Sequence, residues 1–328
     1  MKIASFFSGA GGLDLGFSNA GFNLAFANDN WEGCWETFEK NHNHPICKKS
    51  ITELKPEEIP KVVGFVGGPP CQSWSLAGAM RGINDSRGKL FYNYVELIKA
   101  KQPLFFLAEN VAGILSDKHL SEFKKIIEAF KEIGYTVSYK LLNAKDYGVP
   151  QDRKRVIIVG YHNKLGKTFE FPKPTSSQVL LKDVISDLPP AKSAKEKNKT
   201  NGKTEILNHE YMNGGFSTMY MSRNRVRGWN EHSFTIQAGG RHAPIHPQAP
   251  KMKFIEQDKR EFVKGKEHLY RRLSVRECAR IQTFPDNFEF HYVDVADGYK
   301  MIGNAVPVKL AEVIANKIMD DIKDVKNE

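Results

Sequence analysis

Lys2-Ile3-Ala4-Ser5-Phe6-Phe7-Ser8-Gly9-Ala10-Gly11-Gly12-Leu13-Asp14-Leu15-Gly16-Phe17 reads as a short strand, a glycine turn and the start of a helix. A glycine turn between a first strand and a helix is where doubly wound sheets receive a cofactor, at the carboxyl ends of the strands. The dinucleotide fingerprint G-x-G-x-x-G is not met, because Asp14 stands where the third glycine belongs. An acid there opposes a pyrophosphate, which such turns otherwise bind through backbone N–H groups. The turn therefore suits a nucleoside without phosphates, and a nicotinamide-dependent enzyme is disfavoured.

Working outward, Asn23 to Ala27 is a second strand ending in Asn28-Asp29-Asn30. A carboxylate at that strand end is placed to accept both ribose hydroxyls of a nucleoside, or to cap the helix read from Trp31 to about Asn41. His42 and His44 read as surface residues. A third apolar run, Val62 to Val66, leads into Gly67-Gly68-Pro69-Pro70-Cys71-Gln72-Ser73-Trp74-Ser75. Glycine permits the sharp turn and proline stiffens it, so a thiol is presented just past a strand end. Near a helix N-terminus such a thiol is drawn toward its thiolate, from a free pKa of about 8.5. Cys71 is thus the candidate nucleophile rather than a small core residue.

Arg81 to Arg87 is a polar loop, Leu90 to Lys101 has helical spacing, and Pro103 to Ala108 is a continuous apolar strand ending in Glu109-Asn110-Val111. Desolvation beside so apolar a strand raises the affinity of a carboxylate for its proton. A helix from Leu120 to Ile133 and a strand from Thr136 to Leu142 follow, then Gln151-Asp152-Arg153-Lys154-Arg155 entering another strand, with Arg153 and Arg155 on one face. Strands alternating with helices give an α/β class with a doubly wound, mostly parallel sheet.

From Pro172 the character changes to prolines, a lysine-rich loop (Lys192 to Lys203) and alternating arginines at 223, 225 and 227 in an extended segment. Residues 172–271 hold 18 lysines and arginines against 10 acids, nearly all of the net charge of +10. A concentrated basic segment points to a polyanion, nucleic acid first, and arginine forks read guanine bidentately or hold phosphates. Regular structure returns with Ser274 and Glu277 as a capping box, then Tyr299 to Pro307 as a turn into a final helix from Val308. The four cysteines lack CxxC spacing, so no metal site and no disulfide framework is expected. No window reaches the 18 or so apolar residues of a membrane span, and a cytoplasmic protein is expected.

Six stretches in order, FSGAGG, GGPPCQS, ENV, QDRKR, RLSVRECARIQTFP and GNAVP, resemble the cytosine-5 DNA methyltransferases over nearly the whole chain. The segment from Asn208 to Pro250 (NHEYMNGGFSTMYMSRNRVRGWNE, FTIQAGGR and HPQAP) resembles the HaeIII-type, GGCC-specific branch of that family. The resemblance implies a class I S-adenosylmethionine-dependent catalytic domain, 1–171 plus 272–328, with a target-recognition domain, 172–271, inserted. It implies Cys71, Glu109, Arg153 and Arg155 as catalytic residues, and a cofactor pocket from Phe7, Gly9, Ala10, Gly11, Gly12, Asp29, Asn30, Ser50, Ile51, Pro70, Leu90, Asn304 and Val306. Contacts to double-stranded DNA fall by the same match on Ser75, Arg81, Arg87, Arg223, Arg225, Arg227, Thr235 and Arg241. The family usually has Glu followed by an aromatic at Asp29-Asn30, with Trp31 here one place later, and Asp at Ser50. A bacterial monomer is expected, with a separate restriction endonuclease as its partner activity. The rival readings are a transfer-RNA methyltransferase, whose CFT tripeptide is absent, and an inactive DNA-binding relative.

Overall fold

The first strands are β1 (Lys2–Phe6), β2 (Asn23–Asn28), β3 (Gly64–Gly67) and β4 (Phe105–Val111), followed by β5 (Tyr135–Asn143) and β6 (Lys154–His162). They form one sheet in the order β2-β1-β3-β4-β6-β5. A computed structural model supplies this architecture and describes residues 1–70 and 88–324. Strands β1 to β4 pair in parallel, whereas β6 is antiparallel to both β4 and β5. The sheet is therefore mostly, not wholly, parallel. Strand β5 returns as β6 through ten residues without the helix that a parallel crossover needs.

The chain divides into two compact units: residues 1–143, 154–173 and 311–328 form the first, and residues 144–153 and 174–310 the second. In the first unit helices α1 (Gly12–Asn19), α2 (Trp35–His42), α3 (Gly88–Lys101) and α4 (Asp117–Glu132) accompany the sheet. The chain enters α2 through a 3-10 turn at Glu32–Cys34, so the regular helix starts later than its sequence suggests. On α4 the buried side chains are Phe123, Ile126, Ile127 and Phe130, a spacing that puts one apolar stripe on the sheet. Phe130 stacks on Phe106 of β4 at 4.0 Å, and Phe6 of β1 lies 4.9 Å from Phe65 of β3. Each such buried side chain contributes about 1.5–3 kcal/mol.

The second unit holds little regular structure: α5 (Leu181–Ile185), the pair β7 (Lys192–Ser193) and β8 (Glu210–Tyr211), the hairpin β9 (Lys253–Glu256) and β10 (Lys259–Glu261), α6 (Val275–Ile281) and α7 (Val295–Asn304). Helix α8 (Val308–Ile322) starts in this unit and continues, from Ala311, in the first. Tyr299 to Asn304, read from sequence as a turn, is the last part of α7; only Ala305 to Pro307 separate it from α8. Pro307, which has no N–H to give, stands directly before α8, where a helix start leaves that donor unused.

Irregular backbone leaves carbonyls without ladder partners, and here buried arginines supply the donors. Arg272 donates to Gly214 O (2.9 Å) and Gly215 O (2.8 Å) and covers the Phe216 ring at 4.1 Å. Arg276 donates to Leu207 O (2.8 Å) and Phe288 O (2.7 Å). At the start of α6 the expected capping box is present: Glu277 N donates to Ser274 Oγ (3.0 Å) and Ser274 N to Glu277 Oε2 (2.7 Å). Burial alone would raise the Glu277 pKa, but the Arg271 fork at 2.7 and 2.8 Å brings it below the usual range.

Candidate active site

The glycine turn after β1 is held from two sides. Gly9 N donates to Asp29 Oδ2 (2.8 Å), and Trp31 N donates to Asp29 Oδ1 (2.8 Å). Asp29 thus forms an Asx turn at the end of β2 instead of a helix cap, and its carboxylate is aimed across to the glycine turn. Phe7 takes φ 53°, Gly9 55° and Gly11 85°, the left-handed backbone that lets the chain double back. A Cβ at Gly9 would meet no described atom within 4 Å. Beneath the turn, Asp14 of α1 is fully buried and neither carboxylate oxygen has a hydrogen-bond partner among the described residues. Burial raises its pKa to about 6.

His42 corrects an expectation. It is not a surface residue: its ring lies 4.4 Å from that of Phe38, its Nε2 is 3.2 Å from Ala10 O, and burial lowers its pKa to about 4. Sequence could not place it, because it meets a turn 32 positions earlier. Ser50 caps the short turn Ile51–Glu53, its Oγ accepting from Thr52 N and its N donating to Glu53 Oε2, while Ile51 is buried. The Trp31 indole sits against Gly33, where a Cβ would come within 2.5 Å of the ring; Asn30 is exposed.

At the end of β4 the register decides the chemistry. Glu109 pairs with Ile157 and Val111 with Arg155, so Glu109 and Arg155 are diagonal neighbours on one face of antiparallel strands. Arg155 Nε lies 2.8 Å from Glu109 Oε1, with only 13% and 11% of the side chains exposed. A Cβ at Gly68 would approach Glu109 Oε2 to 3.4 Å, and Asn110 Nδ2 donates to Pro69 O (3.0 Å). The turn that precedes Cys71 is thereby fastened against the carboxylate. Cys71 itself, with Ser75, Arg81 and Arg87, lies outside the described residues. Leu90 packs on the core of the first unit, and Pro70 is partly exposed.

Arg153 does not share a strand face with Arg155, because β6 begins at Lys154 and Arg153 belongs to the second unit. There it is 1% exposed and donates to Ile236 O (2.9 Å), Gly303 O (2.8 Å) and Ala305 O (3.0 Å). Gln151 donates to Gln282 Oε1 (2.8 Å) and accepts from Ile236 N (2.9 Å), and Gln282 donates to Ile302 O (2.8 Å). Thr235 Oγ1 donates to Asp152 O (2.6 Å). A Cβ at Gly303 would stand 2.3 Å from Gln237 C, so only glycine admits this crossing. One polar knot therefore joins 151–153, 235–237 and 302–305. Within it Asn304 is exposed and Val306 buried.

Comparison with known proteins matches the family model for C-5 cytosine-specific DNA methylase over residues 1–320. The Type II methyltransferase M.MthTI of Methanothermobacter thermautotrophicus is 67% identical, covering 100% of this chain and 99% of its own. M.FnuDI of Fusobacterium nucleatum, another Type II methyltransferase, is 56% identical over 99% of this chain and 96% of its own. The chain belongs to the C-5 cytosine-specific DNA methylase family. A solved structure of DNMT2 from Spodoptera frugiperda superposes with TM-score 0.70 at 18% identity, covering 98% of this chain and 99% of that one, which shows the shared fold.

The family uses S-adenosylmethionine, and the glycine turn of this methylase fits it. Asp14, buried with no hydrogen-bond partner in reach among the described residues, repels a phosphate and suits a ligand carrying sulfonium and ammonium charges, and among the same residues nothing fills the space at the Gly9 α-carbon. Among the described residues no group of three or more His, Cys, Asp or Glu could hold a metal, and no helix is long and apolar enough to cross a membrane.

Of the six arginines read as DNA contacts, the four among the described residues separate into two kinds. Arg223 and Arg241 are exposed. Arg225 donates to Tyr220 O (2.7 Å) and Met219 O (3.1 Å), and Arg227 pairs with Glu231 (3.2 Å) over the Phe234 ring (4.2 Å).

Proposed function

We propose that this methylase transfers a methyl group to carbon 5 of the inner cytosine of GGCC in duplex DNA, as the modification activity of a Type II restriction-modification system. The observation that carries the reading is the Glu109–Arg155 pair, held against the turn that leads to Cys71. Carbon 5 of cytosine is a poor nucleophile. Addition of the Cys71 thiolate to carbon 6 pushes an electron pair into the ring, and a proton from Glu109 to N3 stabilises it. Arg155 holds the O2 edge, and its fork also fixes the Glu109 carboxyl. S-adenosylmethionine, when bound, supplies the methyl on a sulfonium; Asp29 and the glycine turn would hold it, with Ile51, Pro70 and Leu90. After transfer, water takes the carbon-5 proton, the electron pair re-forms the 5,6 double bond as the Cys71 thiolate leaves, and N3 returns its proton to Glu109. The base must leave the duplex stack for this, at a cost of a few kcal/mol.

Function divides the chain at 171/172 and 271/272, with 1–171 plus 272–328 catalytic and 172–271 recognising DNA. The chain acts as a monomer, with any cognate endonuclease separate. Supporting the discontinuous division, Tyr161 OH donates to Asp321 Oδ2 (2.8 Å) and Lys167 Nζ to Asp321 O (2.6 Å), so α8 completes the first unit. For base reading, Arg223 and Arg241 are the exposed forks, while Arg225 and Arg227 shape the segment that carries them.

The test is tritiated methyl transfer to a GGCC duplex, a scrambled duplex and transfer RNA, with Cys71→Ala as control. Label in the GGCC duplex alone, lost in the control, is expected. Label in transfer RNA but not DNA overturns the assignment, and label in both duplexes overturns the GGCC specificity. A duplex carrying 5-fluorocytosine, which has no carbon-5 proton to lose, should trap the enzyme covalently through residue 71.

A further inference from the structure

His42 is the last residue of α2, one turn after Phe38, so both side chains lie on the same face of the helix. That face meets the glycine turn. A Cβ at Gly11 would lie 1.9 Å from His42 Nε2 and 2.6 Å from its Cε1, so the imidazole occupies the space that Gly11 leaves. Its Nε2 stands 3.2 Å from Ala10 O. A carbonyl oxygen only accepts, so Nε2 carries the proton and the ring is the donor. Stacking on Phe38 at 4.4 Å and 24° fixes the plane of the ring.

We propose that His42 is a positioning residue for cofactor binding: it braces the glycine turn from below, holding the Ala10 carbonyl inward so that the opposite side of the turn stays formed for S-adenosylmethionine. Two features make this more than packing. Gly11 sits at φ 85° with an aromatic ring in place of a side chain, so turn shape and ring position are determined together. Across the same turn Asp29 holds Gly9 N and Asn28 O accepts from Ser8 N (3.1 Å), so the turn is clamped from the end of β2 as well as from α2. The inference rests on the reading that this turn binds S-adenosylmethionine.

The experiment is calorimetric binding of S-adenosylmethionine and S-adenosylhomocysteine to the full chain, with DNA affinity measured in parallel without cofactor. His42→Phe keeps ring volume and stacking but removes the donor, and should weaken cofactor binding about tenfold, the worth of one hydrogen bond. His42→Gln restores a donor and should recover most of that loss. His42→Ala removes donor and brace and should weaken binding further; if it fails to fold, His42→Phe and His42→Gln carry the test. DNA affinity should stay within about twofold of the native chain throughout. Unchanged cofactor affinity in folded His42→Phe overturns the proposal, as does an equal loss of cofactor and DNA affinity, or no recovery in His42→Gln. If the native chain binds neither cofactor, it is the cofactor reading that fails.

Discussion

The cost of Asp14 is local and depends on pH. Its carboxyl, with a pKa raised from 3.8 to about 6, binds a proton more tightly folded than unfolded. The stability it contributes is complete below the unfolded value and is lost as pH rises through about 6. Above that, ionised Asp14 costs on the order of 3 kcal/mol. Asp14→Asn should therefore raise the thermal midpoint at pH 8 more than at pH 5, compared with the native chain under the same conditions; an equal shift at both would remove the burial argument. His42 has the opposite sign. Its pKa is depressed to about 4, so its neutral form supports the fold above the unfolded value, and that support is lost as pH falls from about 6.5 toward 4. At the reacting end, Glu109→Gln should cut single-turnover methyl transfer by about 10²–10⁴ with cofactor affinity retained, the range for a lost general acid. Arg155→Lys keeps the charge but loses the fork, and should fall in the same direction.

Among elements, the polar knot of Gln151, Arg153 and Gln282 shows what local sequence can and cannot carry. Gln282→Leu would leave the Gln151 amide N–H unsatisfied in a fully buried place, at about 1–3 kcal/mol, while the Ile302 carbonyl keeps its bond from Ala305 N (3.2 Å). Chemical denaturation should show that loss, and Gln151→Leu with Gln282→Leu should be less than additive, because the two share one bond. None of this was legible from sequence, since Arg153 reaches carbonyls as far as 152 positions away. What was legible is local: the strand and glycine turn at Lys2–Gly12, the apolar stripe of α4 and the Ser274–Glu277 box each depend on neighbours within one turn or one strand. Alternation likewise suggested that Arg153 and Arg155 share a face, but the strand starts between them, a boundary that periodicity does not fix. Glu109 was found from its apolar strand, while its ion pair needed the antiparallel register of β6, which no residue of β4 announces.

For the whole molecule, net charge overstates what is available to DNA. Three arginines of the basic segment are bound internally, Arg225 to carbonyls and Arg227 and Arg271 to glutamates, as is Arg272 just beyond it, to carbonyls. Exposed cations of 172–271 include Arg223, Arg241, the lysines of the 192–203 run, of which Lys199 pairs with Asp294 at 2.8 Å, and Lys251, Lys253, Lys259, Lys264 and Lys266. Each phosphate contact contributes about 0.9 to the slope of log affinity against log salt. Replacing Lys195 and Lys197 by alanine should therefore lower affinity for GGCC and scrambled duplexes alike and flatten that slope, measured without cofactor across a salt series. Arg223→Ala or Arg241→Ala should instead cost about 1–3 kcal/mol on GGCC and less on the scrambled duplex, because a base contact discriminates and a phosphate contact does not. Arg227→Ala should act through stability, since it removes one partner of Glu231, which keeps Gly228 N and Lys251, and uncovers Phe234, and its effect should appear in the thermal midpoint before it appears in the salt slope. If all four substitutions changed slope and specificity in the same proportion, the division between exposed reading arginines and internal ones would fall, and charge count alone would describe how this surface meets DNA.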